Sequence, residues 1–280
     1  MDGLIINVAV IAVIAALVGP RAAVIVPPPP FDDPWLVTEV VDGDTIDVAR
    51  GSTTIAVRLI GINAPEADEC WSDEATVELA ELVGPGPVWL TIDTSDVDQF
   101  GRALRYVINA DGEDVGGLLV EAGAAIARSY PPDTANDDRY ALLQESARLA
   151  GRGMWAHDAC GTAAAQAVGV PVAVQIDVHP DAAGDDNINL NDEWVRFTNT
   201  ATAPLDLDGW MVKDESSSHR YTFSDLTVQP GRHVTLLTGC GIDTTTARYW
   251  CNTGSAVWNN GGDTVFLLDP VGNIAESRRY

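Results

Sequence analysis

The Ala-rich segment at residues 161–171 divides the chain into two parts whose hydrophobic patterns differ. Before it, short apolar runs alternate with stretches of helical periodicity, and after it only strand-like runs separated by polar turns occur. Strands mixed with helices predict an α+β domain, whereas short strands at fairly even spacing predict an antiparallel β-sandwich. Because 280 residues are enough for two modest domains, we predict one at residues 35–157 and one at 172–280, joined by a linker at 161–171.

Apolar runs in both parts mark the expected strands. In the first part they are WLVTEVV, TIDVA, TTIAVRLI, VWLTID and ALRYVI, and in the second part EWVRFTN, GWMVKD, HVTLLTG and TVFLLD. Two helices are expected in the first part. Ser72–Leu82 has Ser72 as its candidate N-cap, and Asp138–Ala150 is expected to end at Gly151.

The first 30 residues have the pattern of a targeting segment. The apolar run Leu4–Val18 has fifteen residues, which as a helix span about 22 Å, less than the roughly 30 Å of a bilayer hydrocarbon core. This favours a signal peptide, but Asp2 stands where a basic residue is expected, so a signal anchor stays open. Pro27–Pro30 predict an extended spacer. We therefore expect an extracellular or cell-surface-anchored protein.

The four cysteines agree with export, because disulfides persist in oxidising compartments. Three pairings are possible. We favour Cys70–Cys160 and Cys240–Cys251, since each pair then belongs to one predicted domain. The sequence has no CxxC pair, so a structural zinc site is not expected.

The chain is strongly acidic, with 41 Asp and Glu against 16 Lys and Arg and a formal net charge of −25. Lys213 is its only lysine. This balance argues against a nucleic-acid binder that uses a broad basic surface. A local site that concentrates positive charge on a few arginines and a metal ion remains compatible with an acidic body.

Three short segments of the first part carry residues suited to phosphodiester hydrolysis: VDGDTI at 41–46, VRLIGINAPE at 57–66 and DQFGR at 98–102. A hard cation such as Ca²⁺ takes oxygen ligands. The candidate ligands are the side chains of Asp44 and Asn63 and the main-chain carbonyl of Ala64. Glu66 is a candidate base for the attacking water, and Arg58 and Arg102 are suited to contact phosphoryl oxygens.

The order VVDGDTIDV, VRLIGINAPE, DQFGRALRYV and GRGMW resembles the staphylococcal-nuclease (thermonuclease) family over about Trp35–His157. The resemblance implies an OB-type five-stranded barrel with helices, and calcium-dependent cleavage of DNA and RNA. It places the first metal-ligand aspartate at Asp44, the catalytic arginines at Arg58 and Arg102, and the catalytic glutamate at Glu66.

Two positions depart from the family pattern. Asn63 stands where the second metal-ligand aspartate is usual, which removes a charge from the site, and Ala64 replaces the usual threonine. An amide oxygen still binds calcium, but the affinity should fall. The family's base-stacking tyrosine falls on Tyr130, for which a packing role is the open alternative.

Three segments after the linker resemble the lamin-tail domain over Asn191–Tyr280: NDEWVRFTNTATAPLDLDGWMVKDE, YTFSDLTVQPGRHVTLLTG and VWNNGGDTVFLLDPVGN. The resemblance implies an immunoglobulin-like β-sandwich that serves as an accessory module for binding or tethering, to DNA, a membrane or the cell surface.

Together these observations predict an exported, monomeric, calcium-dependent nuclease that hydrolyses DNA and RNA and carries an accessory binding module. The alternative is a non-catalytic surface or nucleic-acid-binding protein that uses both domains for binding. Retention of Arg58, Glu66 and Arg102 favours the nuclease, whereas Asn63 and the net charge favour the alternative.

Overall fold

The computed structural model describes residues 33–161, 173–216 and 218–280. The predicted signal segment at 1–30 lies outside the described residues, as does the predicted linker apart from Gly161. Within the described part of the chain, no helix is both long and apolar enough to cross a membrane.

The first part contains a closed five-stranded barrel, with strand order β1-β2-β3-β6-β5, and a separate two-stranded ladder of β4 and β7. The strands are β1 (Trp35–Asp42), β2 (Thr45–Arg50), β3 (Thr53–Leu59), β4 (Ile62–Asn63), β5 (Pro87–Thr91), β6 (Ala103–Ile108) and β7 (Ile126–Ala127). All pairs are antiparallel except β3 with β6. This confirms the expected barrel.

Alternation of apolar side chains fills the barrel. Ile46 and Val48 on β2, Val57 and Leu59 on β3, and Val107 on β6 are at most 1% exposed. Because side chains on a strand alternate between its two faces, the residues between them point away from this core. Arg58 lies between two such buried positions, opposite Thr45 on β2 and Leu104 on β6.

Three helices pack against the barrel: α1 (Ser72–Val83), α2 (Val115–Ala122) and α3 (Asp137–Ala150). The expected N-cap at Ser72 is wrong. The preceding residue, Trp71, occupies the cap position in a left-handed conformation (φ 73°) and makes no side-chain cap hydrogen bond. Ser72 is already helical, so its side chain is not placed to cap the first turn.

The second part consists of two four-stranded sheets, ordered β12-β11-β16-β17 and β15-β14-β9-β8, and a small β10-β13 pair. The strands are β8 (Val174–His179), β9 (Trp194–Asn199), β10 (Leu205–Asp206), β11 (Met211–Lys213), β12 (Arg220–Thr222), β13 (Thr227–Val228), β14 (His233–Leu237), β15 (Ala247–Tyr249), β16 (Thr264–Leu268) and β17 (Ile274–Arg279). Their inner faces share one apolar core that includes Phe197, Val212 and Leu236. The expected β-sandwich is confirmed.

The structure joins Cys70 to Cys160 and Cys240 to Cys251, the two pairs that the sequence analysis favours. The first bridge links the segment before α1 to the end of the barrel domain. Two disulfides indicate an oxidising environment.

The two domains share a buried contact. Met154 and Trp155, at the end of the barrel domain, form one apolar cluster with Phe266 of the sandwich, and the ring centroids of Trp155 and Phe266 are 6.1 Å apart. Beside it, the Asn273 side chain accepts a hydrogen bond from the Cys160 amide (2.7 Å) and donates one to the Gly161 carbonyl (2.9 Å). The sandwich is therefore docked on the barrel domain.

Candidate functional site

The candidate site residues of the sequence analysis share one cavity of about 550 Å³ beside the barrel. The predicted residues that line it are Asp44, Arg58, Asn63, Ala64, Glu66, Arg102 and Tyr130. They come from the β1–β2 turn, strand β3, the β4 loop, the loop before β6 and the segment after β7. The fold thus brings together side chains from three separate sequence motifs.

Asp44 and Arg58, which both line this cavity, form an ion pair whose side chains are only 10% and 11% exposed. The Asp44 Oδ2 atom lies 2.8 Å from Arg58 Nη2 and also accepts a hydrogen bond of 2.8 Å from the Ala64 amide. Burial raises the pKa of Asp44 to about 6, against the opposing effect of Arg58. One guanidinium therefore compensates this buried carboxyl only in part, which is the electrostatic condition that favours a bound cation.

Asn63 lies next to this pair and uses both ends of its amide. Its Oδ1 accepts a hydrogen bond of 3.0 Å from Arg58 Nη2, and its Nδ2 donates one of 3.4 Å to the main-chain carbonyl of Glu215 in the sandwich. The amide oxygen therefore faces Asp44 and Arg58. A carboxylate at this position has no hydrogen to donate to Glu215.

The oxygen donors fit a hard cation. The carboxylate of Asp44, the amide oxygen of Asn63 and the carbonyl of Ala64 are all ligand types that Ca²⁺ takes. Among the described residues, no group of three His, Cys, Asp or Glu side chains is placed to hold a metal ion. A site here therefore depends on amide and carbonyl oxygens and carries little ligand charge, which predicts weak affinity.

Arg102 also lines the cavity and is held there by Asp98. Its Nε lies 2.7 Å from Asp98 Oδ2, and its Nη1 lies 3.5 Å from the Thr45 hydroxyl, next to Asp44. Burial acts to raise the pKa of Asp98, but hydrogen bonds from the Arg102 side chain and backbone outweigh it and lower the pKa below its ordinary value. Asp98 is thus the carboxylate that orients this arginine.

Glu66 lies in an exposed turn that closes on itself. Its amide donates to Glu69 Oε2 (3.0 Å), and the Glu69 amide donates back to the Glu66 carbonyl (2.7 Å). The main chain of Glu66 is therefore fixed while its side chain faces the solvent of the cavity.

Arg128 is a third arginine of the cavity, which the sequence analysis does not identify. Its guanidinium lies 4.5 Å above the ring of Tyr130, and its Nη1 donates a hydrogen bond of 2.6 Å to the Glu215 carbonyl. The sequence signal for Arg128 is its position two residues before Tyr130, because side chains two apart on an extended chain share a face. Ser216 of the sandwich also lines the cavity, and no sequence pattern points to it.

Glu215 has a buried side chain close to a second buried acid, Asp263. Its Oε1 accepts a hydrogen bond of 2.6 Å from the Thr264 hydroxyl. Burial, and then the charge of Asp263, raise the pKa of Glu215 to about 7, against the smaller effects of Arg279 and Arg128. Burial and the charge of Asp214 raise the pKa of Asp263 to about 6.

The burial of Glu215 predicts that the free energy of unfolding depends on pH. Between the ordinary Glu pKa of 4.5 and about 7, the folded protein holds a proton on Glu215 that the unfolded chain releases. The free energy of unfolding therefore falls as pH rises through that window, by on the order of 3 kcal/mol for this group. Glu215→Gln mimics the protonated form and removes that part of the slope, which urea unfolding at pH 5, 6, 7 and 8 measures.

The exposed Glu81 on α1 supplies the control, since Glu81→Gln should keep the wild-type slope. A Glu215→Gln protein whose stability falls with pH as steeply as wild type would contradict this account.

Comparison with known protein families defines the class of each half. Residues 56–157 match the family described as staphylococcal nuclease homologue. Residues 170–280 match the lamin tail domain. The chain therefore combines a nuclease-type barrel with an immunoglobulin-like sandwich.

Individual relatives share the first half. A protein named as an uncharacterized endonuclease from Escherichia coli O157:H7 is 34% identical over 120 residues, which cover 42% of this chain and 74% of that protein. The micrococcal nuclease of Shigella flexneri is 32% identical over 127 residues, covering 42% and 71%. The thermonuclease of Staphylococcus intermedius is 32% identical over 120 residues, covering 41% and 68%. The chain belongs to the staphylococcal nuclease family, and its relatives support a nuclease function.

Proposed function

We propose that this protein is an exported, calcium-dependent nuclease that hydrolyses phosphodiester bonds of DNA and RNA. The observation that carries the proposal is the convergence of Arg58, Arg102 and Glu66 on one cavity beside the buried Asp44. Three arginines, counting Arg128, line the cavity together with three carboxylates, Asp42, Asp44 and Glu66, so the lining is formally neutral in an otherwise acidic protein. Export is supported by the two disulfides.

The arginines bind and orient the phosphodiester. Arg58 has a side chain that is 11% exposed, and it is fixed by three acceptors, namely Asp44, Asn63 and the Leu59 carbonyl. Arg102 lines the same cavity and is oriented by Asp98. Guanidiniums match the geometry of two phosphate oxygens at once and stabilise the negative charge that grows on them as water attacks.

Glu66 is the proposed general base. Its carboxylate accepts the proton of the attacking water, and the fixed main chain of its turn limits where that carboxylate lies. Asp44, Asn63 and the Ala64 carbonyl would hold Ca²⁺, which when bound supplies positive charge that polarises the phosphoryl group. Tyr130, stacked with Arg128, is the proposed contact for a base next to the cut.

The proposal is tested by incubating the full chain with single-stranded DNA and, separately, with RNA, each in calcium and in a calcium chelator, and separating the products by size. We expect cleavage of both polymers in calcium only. Absence of cleavage, with retained binding to either polymer, would support the non-catalytic alternative, which the amide at Asn63 favours.

Asn63→Asp tests the metal ligands. The substitution restores a carboxylate among the oxygens around the proposed metal, so the calcium concentration for half-maximal activity should fall by roughly ten-fold. It also replaces the Nδ2 donor to Glu215, so a small loss of thermal stability is expected. A calcium titration of the cleavage rate measures the first effect and thermal unfolding the second.

Gln229→Glu is the control, because it also turns an amide into a carboxylate, on the exposed surface of the sandwich. If Asn63→Asp and Gln229→Glu need the same calcium concentration as wild type, Asn63 is not a ligand.

A further inference from the structure

The sandwich contacts the segment of the barrel domain that carries the proposed metal ligands and the base. Four charged side chains, which we call the interdomain ion cluster, form this contact: Asp68, Glu69, Lys213 and Arg220. Lys213 on β11 and Arg220 on β12 are directly opposite each other in the sheet. Both reach Glu69, so one sheet edge presents two cations to one carboxylate.

The Lys213–Glu69 pair is the well-shielded part of this contact, whereas the Asp68 side chain is 72% exposed. The side chains of Lys213 and Glu69 are only 12% and 15% exposed. Arg220 contacts Asp68 at 2.7 Å and Glu69 at 3.1 Å. Pairs that are shielded from solvent are screened less than surface pairs, and removal of one partner leaves the other without compensation. Lys213 is also the only lysine of the chain.

Glu69 connects the cluster to the site. Its Oε1 binds Lys213 and Arg220, while its Oε2 accepts the amide hydrogen of Glu66. The next residue, Cys70, is fixed by its disulfide to Cys160, which packs near Gly272 of the sandwich. The turn that carries Glu66 is therefore held from its C-terminal side by contacts with the second domain.

The sandwich also holds the site from the other side. The single carbonyl of Glu215 accepts hydrogen bonds from Asn63 (3.4 Å) and from Arg128 (2.6 Å). These contacts lie two to five residues from Lys213 and Arg220 in the sandwich sequence. One edge of the second domain thus touches both ends of the segment 63–70.

We propose that the lamin-tail sandwich positions the proposed base of the nuclease site. In this arrangement Lys213 and Arg220 are positioning residues that fix the turn of Glu66 through Glu69. The inference rests on the proposed nuclease function, because it assigns Glu66 to the chemistry. It differs from an accessory tether, since a tether does not change the rate of the chemical step. Partners that orient a catalytic or metal-binding group typically change its activity by about 10- to 100-fold.

The test replaces Lys213 in the full chain. Lys213→Met keeps the length and apolar stem of the side chain but removes its charge. We expect kcat on a single-stranded oligonucleotide to fall by about ten-fold while KM stays within about two-fold, because the substrate contacts Arg102 and Tyr130 lie on other segments. Amide hydrogen exchange at residues 66–70 should become faster, and Lys213→Arg should restore both values.

Arg248→Met is the matched control. Arg248 is a sandwich residue with a side chain only 9% exposed, paired with Asp243 and absent from the interdomain ion cluster. It should leave kcat and the exchange at 66–70 as in wild type at a temperature where both variants are folded.

The outcomes distinguish the positioning role of Lys213 from the proposed nuclease function. Unchanged exchange at 66–70 in Lys213→Met overturns the positioning role whatever the activity, and so does an equal fall of kcat in Lys213→Met and Arg248→Met. A wild-type protein that does not cleave in calcium refutes the nuclease proposal instead, and in that case faster exchange still shows that the sandwich holds the turn.

Discussion

Replacing Glu66 with glutamine is expected to lower kcat for phosphodiester cleavage by about two to four orders of magnitude, the contribution typical of a general base. Glutamine keeps the shape of the side chain but cannot accept the proton of the attacking water. Because Glu66 is exposed, the folded state should lose little stability. Steady-state cleavage of a single-stranded oligonucleotide at saturating calcium measures the effect.

Glu74→Gln, an exposed change on α1, is the control for this experiment and should cleave at the wild-type rate. If Glu66→Gln retains activity within about three-fold of that control, a difference far smaller than a general base contributes, then Glu66 does not act as the base and another group must take the proton.

The second large effect is expected for Arg58→Lys. Lysine keeps the charge but has a single nitrogen, which cannot contact Asp44, Asn63 and the Leu59 carbonyl and still present two donors to a phosphate. We therefore expect kcat to fall by about 10²- to 10³-fold, as when a donor to the transition state is removed. The same oligonucleotide assay, with circular dichroism to confirm folding, measures it.

Arg50→Lys is the matched change on the same barrel, because Arg50 forms an exposed pair with Asp33 outside the cavity. It should leave the rate unaltered. Equal activity of Arg58→Lys and Arg50→Lys would remove Arg58 from the catalytic machinery.

Much of the fold follows from local patterns. The five barrel strands are predicted to within two residues, since alternating apolar side chains fill a closed barrel. Helix α2 is not predicted, because Gly116 and Gly117 lower helix propensity. Packing explains them: a Cβ on Gly116 would lie 2.8 Å from the Tyr140 hydroxyl, so the close approach of α3 requires glycine there.

The clustering of the candidate site residues was also predictable, because they occur in short motifs whose order the fold preserves. Arg128 and the interdomain ion cluster were not. Lys213 and Glu69 are 144 residues apart in sequence, and an ion pair leaves no periodic trace in either segment. Contacts between domains depend on how the surfaces of two folded domains fit together, which hydrophobic periodicity does not encode.

The cavity changes how the acidity of the chain bears on nucleic-acid binding. A net charge of −25 argues against a broad basic surface. The structure instead gathers Arg58, Arg102 and Arg128 around one cavity. Under the proposed function, recognition of a polyanion would depend on this local site and on the cation that its oxygens would hold.

The most direct test of this account is the rate at which the full chain cleaves a single-stranded DNA oligonucleotide as calcium is added, removed with a chelator and restored. The account predicts a rate that saturates with calcium, disappears on chelation and returns on re-addition. Cleavage that is indifferent to the chelator, or no cleavage at any calcium concentration, would contradict it.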